Sequence, residues 1–233
     1  MNVVNYDIPM LNRISNLIPD GNDESLTCLE VGCVPGRFLL YFNKIKHYSV
    51  EGVDYSGEIE DVNNVFLSQG ITNFHLYKSD FFNFNPNRSY DLVCSFGFVE
   101  HFENTSEVIQ AHSNHVKPGG YLLLTIPNVK YLQKAFIEIN DPNMLSVCNL
   151  DSMDPVRIRG FLEEGYEIKY AGYLGTCRVY GKYAGKSIFW KAFSFFLKKM
   201  SSQIDKILSK FNVEISNRYT SPMIAVVAKK RCD

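Results

Sequence analysis

Gly32 closes the apolar run Leu26-Thr-Cys-Leu-Glu-Val-Gly32 and opens the turn Cys33-Val34-Pro35-Gly36-Arg37. A glycine in that place lets a ligand approach the backbone closely at the end of a first strand. Asp54 lies 22 residues beyond Gly32, at the end of a second apolar run. A carboxylate at about that distance can accept hydrogen bonds from both hydroxyls of a ribose. It could equally cap an Asx turn, since Ser56 and Gly57 follow it, and the glycine turn upstream favours the ribose. Asp80 and Phe81 follow a third apolar run. Asp80 suits an exocyclic amine and Phe81 the face of a base, although with 17 phenylalanines in the chain any single one says little. The alternative is a turn cap beside a core residue. His101 follows a fourth apolar run, where it reads either as a general base or acceptor-orienting group or as a histidine satisfied by a main-chain group near a helix start. A dinucleotide site would ask for G-x-G-x-x-G. Counted from Gly32, Val34 and Arg37 stand where the second and third glycines belong, which argues against NAD.

These residues need strands to end at a common edge. The hydrophobic pattern predicts strands at 26–32, 48–54, 74–77, 90–96 and 121–126. It predicts helices at 36–46, 58–69 and 103–116, the last ended by Pro118-Gly119-Gly120. Strands apolar on both faces belong to a sheet covered by helices on both sides. Strict alternation of strand and helix means parallel strands with right-handed crossovers. The tail differs. A helix at 155–163 leads to a strand at 166–174, and a last strand at 223–229 returns without a normal crossover, so an antiparallel edge is expected.

The chain has 233 residues, of which 45% are hydrophobic and 21% charged, with a net charge of −1. It can bury a core and is expected to form a single domain over 1–233, with an N-terminal helical cap over 1–24. Near-neutral charge argues against non-specific nucleic-acid binding. The N-terminus fails as a signal peptide, and no run reaches the length of a transmembrane span. Six scattered cysteines without a CxxC pair speak against zinc and disulfides and for a reducing, cytoplasmic setting.

Taken in order, Leu29-Glu-Val-Gly-Cys-Val-Pro-Gly36, Val53-Asp-Tyr-Ser56, Lys78-Ser-Asp80, Tyr90-Asp-Leu-Val-Cys-Ser95, Val99-Glu-His-Phe102 and Val116-Lys-Pro-Gly-Gly-Tyr-Leu-Leu-Leu124 resemble the class I S-adenosylmethionine-dependent methyltransferases over roughly residues 25–130. The resemblance implies an α/β, doubly wound, Rossmann-like sheet of seven strands, mostly parallel, with an antiparallel last strand. It implies S-adenosylmethionine as cofactor, released as S-adenosylhomocysteine (SAH). By position, Glu30, Gly32 and Gly36 would hold the methionine part, with Cys33 in the same turn. Asp54 would hold the ribose, with Tyr55 packing beside the adenine, and Asp80 would meet the adenine amine, with Phe81 beside it. Ser95 and Phe96 would lie under the donor. Val34 replaces the family's usual glycine, which crowds the loop. Some relatives bind a divalent metal through Glu-x-x-Glu-His; here Gly97 stands at the first glutamate, so no metal is expected.

The expected activity is methyl transfer to a small-molecule or glycan-like acceptor, with O-methylation favoured and a polysaccharide or natural-product pathway as the analogy. A catalytically silent donor-binding partner is the alternative, and an NAD(P) oxidoreductase a weaker one. No nucleic-acid partner is expected, and a monomer or homodimer is expected. Near the C-terminus, 175–217 reads as a helical insertion or lid. On a wheel, Ile188, Phe189, Trp190, Ala192, Phe193, Phe196, Leu197, Met200, Ile204, Ile207 and Phe211 share one broad arc, with Lys191, Lys198 and Asp205 largely opposite. So wide an apolar face must bury against something. Packing on the domain's own core or on a second copy is favoured over a membrane surface or a lipid-like substrate.

Overall fold

The computed structural model describes residues 9–22, 25–140, 142–177, 179, 187–211, 213 and 215–232. The expected cap over 1–24 and insertion over 175–217 therefore lie partly outside the described residues. Seven strands form one sheet: β1 (Thr27–Val31), β2 (Ser49–Asp54), β3 (Phe74–Lys78), β4 (Tyr90–Phe96), β5 (Val116–Pro127), β6 (Tyr166–Leu174) and β7 (Met223–Lys230). Their order is β3-β2-β1-β4-β5-β7-β6. The β1–β2, β1–β4, β2–β3 and β4–β5 pairs are parallel, and β7 runs antiparallel to both its neighbours. The mostly parallel, doubly wound sheet with an antiparallel last strand is therefore the fold.

Period-two alternation along the strands feeds two cores. Leu29, Val93, Leu122 and Leu124 point to one face, where they meet α4 (Thr105–Asn114), α5 (Tyr131–Asn140) and α7 (Pro155–Leu162) through Ile109, Ile137 and Ile158. Cys28, Leu92, Cys94 and Leu123 point to the other. There they meet α1 (Pro9–Ser15), α2 (Arg37–Lys44) and α3 (Ile59–Ser68) through Ile14, Leu39, Phe42 and Phe66. Each fully buried Leu or Phe contributes about 1.5–3 kcal/mol, so both faces of the sheet are locked. From β1 the chain winds outward to β2 and β3, then returns to β4 on the other side of β1. The crossovers diverge at this switch point, and a crevice opens at the carboxyl ends of the strands.

Two elements differ from expectation. The strand expected at 121–126 runs from Val116 to Pro127 and takes in Pro118-Gly119-Gly120, while α4 stops at Asn114. Tyr90 N donates to His115 O at 2.8 Å, and the register shifts between Tyr90 and Leu92 to absorb the extra residues. A Cβ on Gly120 would lie 3.0–3.1 Å from three carbonyl oxygens, so this glycine serves the bulge rather than a helix stop. The segment after β5, in which no element was expected, contains α5 and the short α6 (Pro142–Ser146). α5 has only ten residues and α6, which Pro142 opens, only five, too few for a clear 3.6 period.

The last helix, α8 (Ile188–Lys210), overturns the expectation that its apolar arc packs on the domain. Phe189, Phe193, Phe196, Met200 and Ile207 are exposed. The face turned to the domain carries Ser194 and Ser201 instead, only 2% and 3% exposed. The side chain of Asp205, expected opposite the arc, lies outside the described residues. Among the described residues no helix is long and apolar enough to cross a membrane.

Candidate functional site

A cleft of about 490 Å³ opens at the carboxyl ends of β1, β2, β3 and β4, lined by Gly32, Val34, Val53, Asp54, Tyr55, Ser79, Asp80, Phe81, Phe96, Gly97, Phe98 and Phe102. Its two floor turns leave the adjacent strands β1 and β4 through glycines in the left-handed region, Gly32 at φ 72° and Gly97 at φ 73°. Their amides stay tied to the sheet: Gly32 N donates to Val53 O and Gly97 N to Thr125 O, both at 2.9 Å. A Cβ on Gly32 would come within 2.7 Å of Phe98 Cδ2, so the floor admits only backbone at that point.

Asp54 makes the Asx turn and also lines the cleft. Oδ1 accepts from Ser56 N at 2.8 Å, which is the Asx turn, and Oδ2 accepts from Val34 N at 3.0 Å. Each carboxylate oxygen has a second lone pair, so the side chain can hold the glycine turn and still accept from a ligand. Tyr55, 80% exposed, stands at the rim. Asp80 likewise caps its turn, accepting from Phe82 N at 3.0 Å and Asn83 Nδ2 at 3.2 Å while lining the cleft. Phe81 is buried, edge-on to Phe98 with centroids 5.8 Å apart. Phe96 lines the cleft and stacks on Phe38 at 3.8 Å, with the Arg37 guanidinium 4.5 Å from the Phe38 ring.

Four residues expected in the site stand behind its wall. Glu30 is fully buried, takes the Leu39 amide, and leaves Oε2 without a hydrogen-bond partner. Burial, reinforced by the negative charge of Asp54, holds its carboxyl well above the usual range. Cys33 is buried, and burial with Glu30 and Asp54 pushes its thiol far up, which makes it an inert core group. Gly36, at φ 86°, precedes α2, and a Cβ there would meet Val62 Cγ1 at 2.6 Å. Ser95 is fully buried with an unpartnered hydroxyl.

His101 ends a 3-10 turn, Val99–His101. It does not line the cleft, although Phe98 and Phe102 around it do. Its ring is 49% exposed, with Nδ1 3.2 Å from Val147 O and Nε2 3.8 Å from Glu100 Oε1. A carbonyl only accepts, so Nδ1 carries the proton of a neutral ring and Nε2 is left with its lone pair. Glu100 beside it is buried, and Oε2 has no partner. Burial lifts its carboxyl from 4.5 to about 7. Between those values the folded chain holds a proton that the unfolded chain has released, so stability falls as pH rises through that window. Glu100→Gln is therefore expected to raise Tm at pH 8 by a few degrees and to flatten the decline between pH 5 and 8, as read by thermal melts. An unchanged profile would contradict it.

Sequence reasoning missed Gly97, Phe98, Phe102 and Ser79 as lining residues. Gly97 and Ser79 were visible only as strand-end neighbours of named residues, and the aromatics carried no signal among so many. Val34, which departs from the family, lines the cleft and gives Asp54 only its amide. Val34→Gly keeps that amide, so SAH affinity is expected to hold or tighten; calorimetry that showed a clear loss would mean that the valine side chain builds the pocket. Among the described residues no disulfide joins any of the six cysteines. Among the described residues no three His, Cys, Asp or Glu side chains lie close enough to hold a metal ion.

The donor set suits an amphipathic nucleoside. It offers a carboxylate fixed to a glycine turn, a second carboxylate, and walls of phenylalanine. It suits a pyrophosphate poorly, because Asp54 occupies the loop amide of Val34 and Glu30 is buried behind the same turn.

A family model described as a methyltransferase domain matches residues 8–154. The ubiquinone biosynthesis O-methyltransferase, mitochondrial, of Dictyostelium discoideum is 23% identical over 120 residues, covering 47% of this chain and 37% of that protein. The chain thus spans little more than a third of the relative's length. Among solved structures, a SAM dependent methyltransferase from Archaeoglobus fulgidus superposes with a TM-score of 0.58 at 18% identity, over 97% of this chain and 95% of that one. A coclaurine N-methyltransferase bound to N-methylheliamine and SAH superposes with a TM-score of 0.60 at 14% identity, over 95% and 72%. The family match spans more than half the chain, on the sheet order and strand-end cleft that its residues build, and the chain belongs to the class I S-adenosylmethionine-dependent methyltransferases.

Proposed function

We propose that the cleft binds S-adenosylmethionine and that the protein transfers its methyl group to a hydroxyl of a small-molecule or glycan-like acceptor. The observation that carries this reading is Asp54, whose carboxylate is fixed by two backbone amides at the mouth of the glycine turn and retains lone pairs for a ribose. When bound, the donor supplies a methyl on a sulfonium, which is already a good leaving group. The chain's task is then to orient and to exclude water. In this reading Gly32 and Gly97 let the backbone form the floor, and Asp54 takes the ribose. Asp80, Phe81 and Tyr55 take the adenine, and Phe96 and Phe98 keep the reacting face dry. Glu30 and Ser95 support the floor from behind, with their unpartnered atoms as spare acceptor and donor. His101 takes the hydroxyl proton through Nε2.

The partial likeness to an O-methyltransferase supports oxygen as the acceptor atom, and cysteines without disulfides among the described residues suit a cytoplasmic setting. The test is incubation with methyl-labelled S-adenosylmethionine and parallel panels of hydroxylated small molecules, glycans and amines. Label recovered in a hydroxyl compound together with SAH supports the reading. Label recovered only in amines overturns the oxygen assignment.

A further inference from the structure

The helix α8 turns its small polar residues inward and its aromatic residues outward. Ser194 Oγ donates to Asn140 Oδ1, and Ser201 Oγ accepts from Val179 N at 3.3 Å. Lys198 reaches over the Phe136 ring at 5.8 Å. These contacts fix one side of the helix to the domain. On another side, Phe189, Phe193, Phe196, Met200, Ile204, Ile207 and Phe211 recur at intervals of three and four, one stripe along the helix. All are exposed, Phe189 by 69% and Phe211 by 74%. Single exposed apolar residues are ordinary, but a continuous stripe marks an interaction surface.

The charge of the segment selects the partner. Residues 188–211 hold five lysines and one aspartate, in a chain whose net charge is −1. At 100° per residue, Lys199, Lys206 and Lys210 fall along one border of the stripe, and all three are exposed. A second copy of α8 laid on the first would bring two lysine-rich helices together, which like-charge repulsion opposes. An anionic surface attracts the lysines while its acyl boundary takes the phenylalanines. The helix is too charged to span, so it would lie in the plane of the interface.

We propose that α8 docks this protein on an anionic lipid bilayer, with Phe189, Phe196 and Ile207 in the acyl boundary and Lys199, Lys206 and Lys210 on the lipid phosphates. This surface is separate from the cleft and goes beyond the proposed methyl transfer.

The test is flotation with vesicles of pure phosphatidylcholine and of equal parts phosphatidylcholine and phosphatidylglycerol, at low and high salt. Trp190, the single tryptophan, sits at the edge of the stripe and is 41% exposed, so its emission reports on insertion. The intact protein is expected to float with the anionic vesicles only, with a blue shift of Trp190, and to release as salt rises. The triple changes Phe189→Ser, Phe196→Ser, Ile207→Ser and Lys199→Glu, Lys206→Glu, Lys210→Glu alter exposed positions and should each weaken binding at least tenfold. Failure of the intact protein to float, or equal binding to neutral vesicles, overturns the proposal without reference to any variant. So does a salt-insensitive dimer in sedimentation that the Phe triple change dissolves, since a second copy would then cover the stripe.

Discussion

Replacing His101 by alanine is expected to lower the single-turnover rate of methyl transfer by about 10²–10⁴ and to leave SAH affinity nearly unchanged. The asymmetry follows from geometry. The ring lies outside the cleft, with Nδ1 committed to Val147 O and Nε2 open on a half-exposed face. In the proposed reading it serves the acceptor without touching the donor. Burial lifts the neighbouring Glu100 carboxyl to about 7, so the pH dependence of turnover is to be read in both variants. If the pH dependence disappears in Glu100→Gln and survives in His101→Ala, the buried carboxyl is the titrating group and the base assignment fails. If His101→Ala loses Tm and donor affinity together, the histidine is a structural support.

Asp54→Ala is expected to weaken SAH binding at least tenfold. Hydrogen bonds to a charged group are worth about 1.5–3 kcal/mol, and about 1.4 kcal/mol is a factor of ten. The loss combines two effects, because the same carboxylate also holds the Val34 and Ser56 amides. Asp54→Asn separates them. It keeps one oxygen to hold an amide of the turn and loses the charge, so it should fall between the alanine variant and the intact protein. Calorimetry on variants with unchanged melting temperatures reads both. An unaltered dissociation constant for a folded Asp54→Ala would remove the ribose role.

The strands, their parallel order and the antiparallel ending were readable because buried strands carry unbroken apolar runs and because glycines and aspartates mark their ends. Asp54 and Asp80 were found for the same reason, and each makes its turn cap while facing the cleft. What sequence could not separate was facing from supporting. Glu30 stands two residues before the lining Gly32 and Ser95 one before the lining Phe96, and only burial puts them behind the wall. Phe98 and Phe102 enter through a 3-10 turn too short for any period. The outward arc of α8 was hidden for another reason: amphipathicity shows that a face must be covered and does not say by what.

The central claim is that the strand-end cleft holds a methyl-donating nucleoside rather than a dinucleotide. Calorimetric titration of the unaltered protein with S-adenosylmethionine, SAH and NADH tests it most directly. Saturable binding of the first two at a single site, with no heat from NADH, is the expected result. Saturable NADH binding, or none with either S-adenosyl compound, would contradict it.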